Sequence, residues 1–201
     1  MPEPPRLRDA LHPLDAPPAG AGWNLDELHD LIDTATLREA AVLVGLVPRE
    51  DGLRVLLTRR DDGLRNHAGQ GSFPGCRVDP GDVDAIDAAL RETEEEVGIP
   101  RGLVTPMAFL DPLATITGFR VLPVVAFIDP GYVARPDPRE VADVFEVPLR
   151  FLLDPANRAP RRFQHGGRER TVWEYRYPDQ RIWGATAAML LNLHDRLEAL
   201  Q

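Results

Sequence analysis

GCRVDPGDVDAIDAALRETEEEVGI, residues 75–99, decides how the rest of the chain is read. At about 100° per residue, Ile86, Leu90, Thr93 and Val97 fall on one side of a helix and can face a core. Glu92, Glu95 and Glu96 stand at i, i+3 and i+4, so their side chains share one surface a turn apart. Asp82 or Asp84 can cap the start of this helix, and Gly98 followed by Pro100 ends it. Three neighbouring carboxylates repel one another unless a cation or a basic partner neutralises them, and hard divalent ions favour oxygen ligands of this kind. The competing reading is a solvated helix face on which Arg91 and Glu95 form an ordinary i, i+4 ion pair.

Composition narrows the setting. The chain has 201 residues with 43% hydrophobic content, which suits one globular domain with an adequate core. Its 23 basic residues, all arginine, face 32 acidic ones, and the net charge of -9 argues against general attraction to nucleic acid or an anionic membrane. A polyanionic ligand therefore needs metal ions or a local arginine patch. Cys76 is the single cysteine, so no internal disulfide can form. No apolar run reaches the roughly 18 residues of a membrane span, and the first residues show no secretory h-region. A cytoplasmic protein is expected.

Outward from the acidic helix, residues 1–22 are rich in Pro and Ala and read as a partly ordered arm in which RLRDAL can make one or two helical turns, with the domain proper at 23–201. Asn24 is a plausible N-cap for a short helix reaching about Asp33, on which His29 reads as surface. AAVLVGLVP and LRVLLTRR read as a hairpin with Asp51-Gly52 in the turn. MAFLDPLATI and GFRVLPVVAFI read as strands with a turn at Thr117-Gly118, and residues 129–140 as a Pro-rich loop before a strand and a short helix. The basic run Arg161, Arg162, His165, Arg168 and Arg170 reads as a solvated loop. TVWEYRYP alternates Thr171, Trp173, Tyr175 and Tyr177 on one side of a strand, and a terminal helix follows Trp183-Gly184.

Between the hairpin and the acidic helix lies LLTRRDDGLRNHAGQGSFPG, residues 56–75, too polar for a core. Its arginines offer bidentate donors suited to phosphate oxygens, and its glycines let backbone approach a ligand closely. Taken alone, a solvated loop with arginines paired to Asp61 and Asp62 explains it as well.

The order Arg91-Glu92-x-x-Glu95-Glu96-x-Gly98-Ile99 resembles the second half of the Nudix hydrolase box, G-x5-E-x7-R-E-U-x-E-E-x-G-U with U aliphatic. Cys76 stands where the box has Gly, Asp82 where it has Glu, Thr93 where it has an aliphatic residue, and eight residues separate Asp82 from Arg91. Residues 56–75 are similar to the signature that distinguishes coenzyme A pyrophosphatases within that superfamily, L-L-T-x-R-x-x-x-L-R-x-H-x-G-Q-[VI]-x-F-P-G-G. Leu56, Leu57, Thr58, Arg60, Leu64, Arg65, His67, Gly69, Gln70, Phe73, Pro74 and Gly75 match it, whereas Gly71 and Cys76 do not. The shorter Asp82, the extra residue before Arg91 and Trp-Gly-Ala-Thr-Ala at 183–187 also look like that family.

The resemblance implies an α/β/α sandwich with a mixed β-sheet. It implies hydrolysis of the diphosphate of coenzyme A or its derivatives, dependent on Mg2+ or Mn2+, to 3',5'-ADP and 4'-phosphopantetheine. Glu92 and Glu96 become the main metal ligands, Glu95 a further ligand or the group that orients water, and Arg91 a positioner of carboxylates; a main-chain carbonyl at Gly75 or Cys76 can add a ligand. Arg59, Arg60, Arg65, His67 and Gln70 become contacts to phosphate or pantetheine. A carboxylate outside the box often serves such enzymes as base, and Glu140 is the candidate, with Asp143 and Glu146 as rivals. Two other readings remain: a Nudix enzyme for another nucleoside diphosphate derivative, such as ADP-ribose or a dinucleotide, and a catalytically silent module that senses a nucleotide.

Overall fold

The computed structural model describes residues 4–28, 30–61, 69–165 and 167–200. Arg38–Arg49 (β1) is its central strand, an apolar run long enough to be covered on both faces. It turns at Glu50-Asp51 into Gly52–Arg60 (β2), with Arg49 opposite Gly52, so the expected hairpin is present. Two short strands follow, Gly71–Ser72 (β3) and Gly75–Arg77 (β4), and then the acidic helix Ala85–Val97 (α1). Val104–Phe109 (β5), Leu113–Ala114 (β6) and Phe119–Ile128 (β7) come next. Val141–Pro148 (β8) leads into the short helix Leu149–Leu153 (α2). Arg158–His165 (β9), Arg168–Tyr177 (β10) and Gln180–Trp183 (β11) precede the terminal helix Ala185–Glu198 (α3).

The sheet runs β5-β7-β1-β2-β3-β11-β10-β9, with β4 added on β1, β6 on β7 and β8 on β2. β1 pairs parallel with β7, from Arg38 opposite Phe119 to Leu46 opposite Phe127, and β3 meets β11 in parallel at Gly71 and Ile182. The remaining pairs are antiparallel, which makes the sheet mixed. Side chains two apart share a face. Ala40, Val44 and Leu46 therefore pack in one layer with Ala187, Leu190 and Leu193 of α3, while Ala41, Leu43 and Val47 pack in the other with Ala88, Ala89 and Val97 of α1. The chain is thus the α/β/α sandwich that the acidic box implies.

Four sequence expectations change in detail. Ile86 and Leu90 pack against the core but are only partly buried, and the fully buried positions of α1 are Ala88, Ala89, Thr93, Glu96 and Val97, because small residues let the helix lie close to the sheet. The helix near Asn24 covers only Leu25–Leu28, and Asn24 does not cap it; its amide exchanges two 2.9 Å hydrogen bonds with the backbone of Ala114. His29 lies outside the described residues. The basic run at 161–170 is a hairpin rather than a loop, since β9 and β10 pair along their length, Arg161 and Arg162 reach Glu174 and Glu169 of β10, and Arg168 and Arg170 reach Asp30. Finally, the helical turns open to RLRDAL form at Pro4–Ala10, and the segment is packed onto the domain, with Leu7 and Leu11 buried in the α3 layer and His12 exchanging backbone hydrogen bonds of 3.0 and 2.8 Å with Phe109.

Candidate functional site

Both ends of α1 are fixed by local chemistry. Asp84, in extended backbone, accepts a 2.8 Å hydrogen bond from the Asp87 N–H and is the N-cap. Gly98 ends the helix at φ 70°, donating to the Glu94 carbonyl, and a Cβ there would lie 2.6 Å from the Arg135 carbonyl oxygen. The loop 129–140 is hung on this end: Arg135 N–H donates to the Val97 carbonyl at 2.7 Å and Asp137 N–H to the Glu96 carbonyl at 3.0 Å. These two bonds satisfy helix carbonyls that have no intrahelical partner, and they bring the last residue of the loop, Glu140, back toward α1.

Asp82, the second capping candidate, does something else. Its side chain is 3% exposed and receives two hydrogen bonds from Arg91, 2.8 Å from Nε and 3.0 Å from Nη2. The guanidinium holds the Asp82 carboxyl down at about 2. The same Arg91 reaches Glu92 at 2.7 Å and Glu95 at 3.1 Å through Nη1. Arg91 therefore ties the loop before α1 to two carboxylates of the box.

Glu96 stands apart from that network. It is 5% exposed, and its Oε1 accepts a 3.2 Å hydrogen bond from the Gly75 N–H. Burial pushes its carboxyl up to about 7; the Gly75 bond and the Arg60 charge oppose this, and the charges of Glu92 and Glu140 add to it. Glu92 is raised too, first by burial, against the pull of Arg91. Gly75 is required where it stands: its φ is 144°, and a Cβ would meet the Ala41 carbonyl oxygen at 2.3 Å. Cys76 needs no such freedom, because it lies in β4 opposite Ala41, and among the described non-glycine residues only Asp179 has positive φ. Replacing the glycine of the box at position 76 therefore does not distort the backbone.

The donor chemistry fits a hard divalent ion. Two carboxylates, both with raised affinity for protons and one turn apart on α1, are what a bound cation would relieve. Among the described residues no three acidic, His or Cys side chains yet converge on one point, since Glu92 and Glu95 are turned toward Arg91. Glu95 is the exposed member of the three, with 61% of its side chain accessible.

The remaining candidates are distributed unevenly. Of the three carboxylates outside the box, Glu140 is the one whose charge acts on both Glu92 and Glu96. Asp143 accepts a 3.0 Å hydrogen bond from Gln180. Glu146 is held by Arg49 through bonds of 2.6 and 3.1 Å and by the Tyr132 hydroxyl at 2.8 Å; burial pushes its carboxyl up, but these donors leave it below its ordinary value. That network braces the loop 129–140, through Tyr132 and the Pro130 carbonyl. Along β2, Val55 and Leu57 face one layer and Leu56 the other, so alternation sends Arg59 and Arg60 to opposite faces, with Arg60 on the side of Glu96. Gln70 is buried and donates a 2.7 Å hydrogen bond to the Trp183 carbonyl, anchoring its loop to β11. Arg65 and His67 lie outside the described residues. The partners the sequence did not announce are the Gly75 N–H on Glu96 and the Asp82 clamp on Arg91; the only sequence signal for either was the spacing of the box.

A NUDIX domain model matches residues 37–165. A protein of Enterobacter sp. strain 638 and one of Escherichia coli K12, each named uncharacterized Nudix hydrolase NudL, are both 43% identical over 162 residues, covering 80% of this chain and 83% of theirs. Among solved structures, a MutT/nudix family protein from Enterococcus faecalis superposes with a TM-score of 0.51 at 16% identity, over 90% of this chain and 70% of that one, a likeness of fold. On the family match and these relatives, the chain belongs to the Nudix hydrolases.

Proposed function

We propose that this Nudix hydrolase cleaves the diphosphate of coenzyme A or its derivatives, giving 3',5'-ADP and 4'-phosphopantetheine, with Mg2+ or Mn2+ held by Glu92 and Glu96. The observation that carries this reading is that the two sequence motifs meet. Arg60, from the coenzyme A pyrophosphatase-like stretch, acts by its charge on Glu96 of the acidic helix, and its Nε is buried with no hydrogen-bond partner among the described residues. A buried, unsatisfied guanidinium N–H beside a carboxylate site is suited to a phosphate oxygen.

A divalent ion bound there would neutralise phosphate charge and lower the pKa of a coordinated water. The chain supplies the rest. Glu92 and Glu96 hold the ion, and Arg91, anchored on Asp82, fixes the orientation of Glu92 and Glu95. Glu95 is a further ligand or orients the attacking water, and Glu140 takes its proton as the new P–O bond forms and the bridging P–O bond breaks. Arg60 fixes the diphosphate, and Gln70 is itself anchored to β11 through the Trp183 carbonyl. Arg59, Arg65 and His67 complete the candidate contacts to the substrate.

Incubating the protein with coenzyme A and Mg2+ or Mn2+ and weighing the products tests this directly. Masses of 3',5'-ADP and 4'-phosphopantetheine are expected. Turnover of ADP-ribose or a dinucleotide with coenzyme A untouched would transfer the reading to that substrate. Tight nucleotide binding without turnover in either metal would favour a sensor.

A further inference from the structure

The edge of the sheet beyond β3 carries a cluster that the hydrolytic site does not use. Glu174 of β10 is 5% exposed and is approached by three arginines: Arg176 Nε at 2.8 Å, Arg181 Nε at 2.9 Å and Nη2 at 2.7 Å, and Arg161 at 3.9 Å. Trp183 lies opposite Glu174 in the β10–β11 ladder, and the guanidinium carbons of Arg161 and Arg181 sit 5.6 and 5.4 Å from its ring centroid. One buried carboxylate and one indole thus fix three guanidinium groups whose side chains remain 49%, 86% and 45% exposed for Arg161, Arg176 and Arg181. Three positive charges against one negative leave a fixed cationic patch on a chain whose net charge is -9.

The topology puts this patch on the face of the sheet that carries the acidic helix. Tyr175 and Ile182, paired across β10 and β11, belong to the α3 layer, so their neighbours Glu174, Arg176, Arg181 and Trp183 face the α1 side. Arg60 faces that side as well. With strands about 4.8 Å apart, β11 lies about 10 Å from β2, within the span of one nucleotide whose diphosphate rests near Arg60. Gln70, bonded to the Trp183 carbonyl, ties the substrate loop to the patch.

We infer that Arg161, Arg176 and Arg181 form a subsite for a phosphomonoester carried by the substrate away from the diphosphate that is cleaved. This rests on the proposed coenzyme A reading for its substrate and identifies the part of the molecule read here as the 3'-phosphate on the ribose. Because Glu174 keeps two of its partners when one arginine is removed, single substitutions leave the cluster neutralised.

The test compares 3',5'-ADP with 5'-AMP by calorimetry, in parallel with steady-state hydrolysis of coenzyme A and dephospho-coenzyme A. Wild-type, Arg161→Ala and Arg176→Ala proteins are used, their melting curves confirming folding. The wild type is expected to bind 3',5'-ADP more tightly than 5'-AMP, and each variant to lose about tenfold of that preference, as the loss of one charged hydrogen bond implies, while 5'-AMP binding stays unchanged. Equal binding of the two nucleotides, no binding of either, or an equal loss for both in the variants would overturn the subsite. If 3',5'-ADP is preferred through these arginines but coenzyme A is not hydrolysed, the subsite stands and the substrate assignment falls.

Discussion

Glu96 is the residue on which the site turns, because it carries a carboxylate into the core side of α1 with one backbone N–H as its hydrogen-bond donor. Burial pushes its carboxyl up to about 7, above the ordinary 4.5. A raised acid pKa means the folded state binds the proton more tightly, so this contribution to stability is full below about 4.5 and is lost as pH rises through about 7. The shift corresponds to about 3 kcal/mol at most. With chelator present, Glu96→Gln should therefore melt higher than wild type at pH 8 and at a similar temperature at pH 4.5. Added Mg2+ or Mn2+ should raise the wild-type melting temperature and leave that of the variant nearly unchanged. The same substitution should cost several kcal/mol in the barrier to hydrolysis, read as a fall in kcat/KM of three orders of magnitude or so. Arg91 behaves differently, since Arg91→Ala strands the buried Asp82 carboxylate. A loss of about 3 kcal/mol in urea unfolding is expected, and Asp82→Asn with Arg91→Ala should recover part of it, because the stranded charge is gone.

At the scale of elements, the C-terminus of α1 and the loop 129–140 form one unit. Gly98→Ala would place a methyl 2.6 Å from the Arg135 carbonyl in a left-handed backbone position. It should cost about 1–2 kcal/mol in stability and reduce kcat through displacement of Glu140, whereas Gly118→Ala, at φ 80° in an open turn, should cost stability without touching kcat. Much at this scale was legible in the sequence. The period of α1, the hairpin after β1 and the alternation of Trp173 and Tyr175 each encode structure within a few residues, and the structure contains all three, with the hairpin turning at Glu50-Asp51 and Gly52 opening β2. What the chain order hid was long-range competition. Asn24 is a good cap by composition, but the Ala114 backbone, ninety positions away, offers it two bonds at once. The arginines at 161–170 look solvated until Glu174 and Glu169 of β10 meet Arg161 and Arg162, and Asp30, far back in the chain, meets Arg168 and Arg170. Likewise Arg59 and Arg60 are neighbours in sequence and part company only because a strand alternates. Glu140 could be nominated from its place on a loop, yet its approach to Glu96 depends on backbone bonds to α1 that no local pattern announces.

Over the whole molecule, both ends of the chain are stapled at one place. Asp111, in the connection between β5 and β6, accepts a 2.7 Å bond from His12, 2.8 and 2.9 Å bonds from Arg196 and a 2.8 Å bond from Asn192, while Arg196 also donates to the Ala10 carbonyl. Leu7 and Leu11 close the α3 layer beside this staple. Removing residues 1–11 should therefore lower stability by about 3 kcal/mol, the order expected for two buried leucines partly offset by released chain entropy. Activity per folded molecule should be kept, since the staple lies on the α3 side of the sheet and the carboxylates on the other. A truncated protein that melts like the full chain would show these contacts to be weak.

The account as a whole depends on a divalent ion at two carboxylates of α1, and crystals soaked in manganese with nucleotide present test this most directly. An anomalous peak within coordination distance of Glu92 and Glu96 is the predicted result. No peak there, or one seated only at Glu95 and the Asp82 loop, would contradict it.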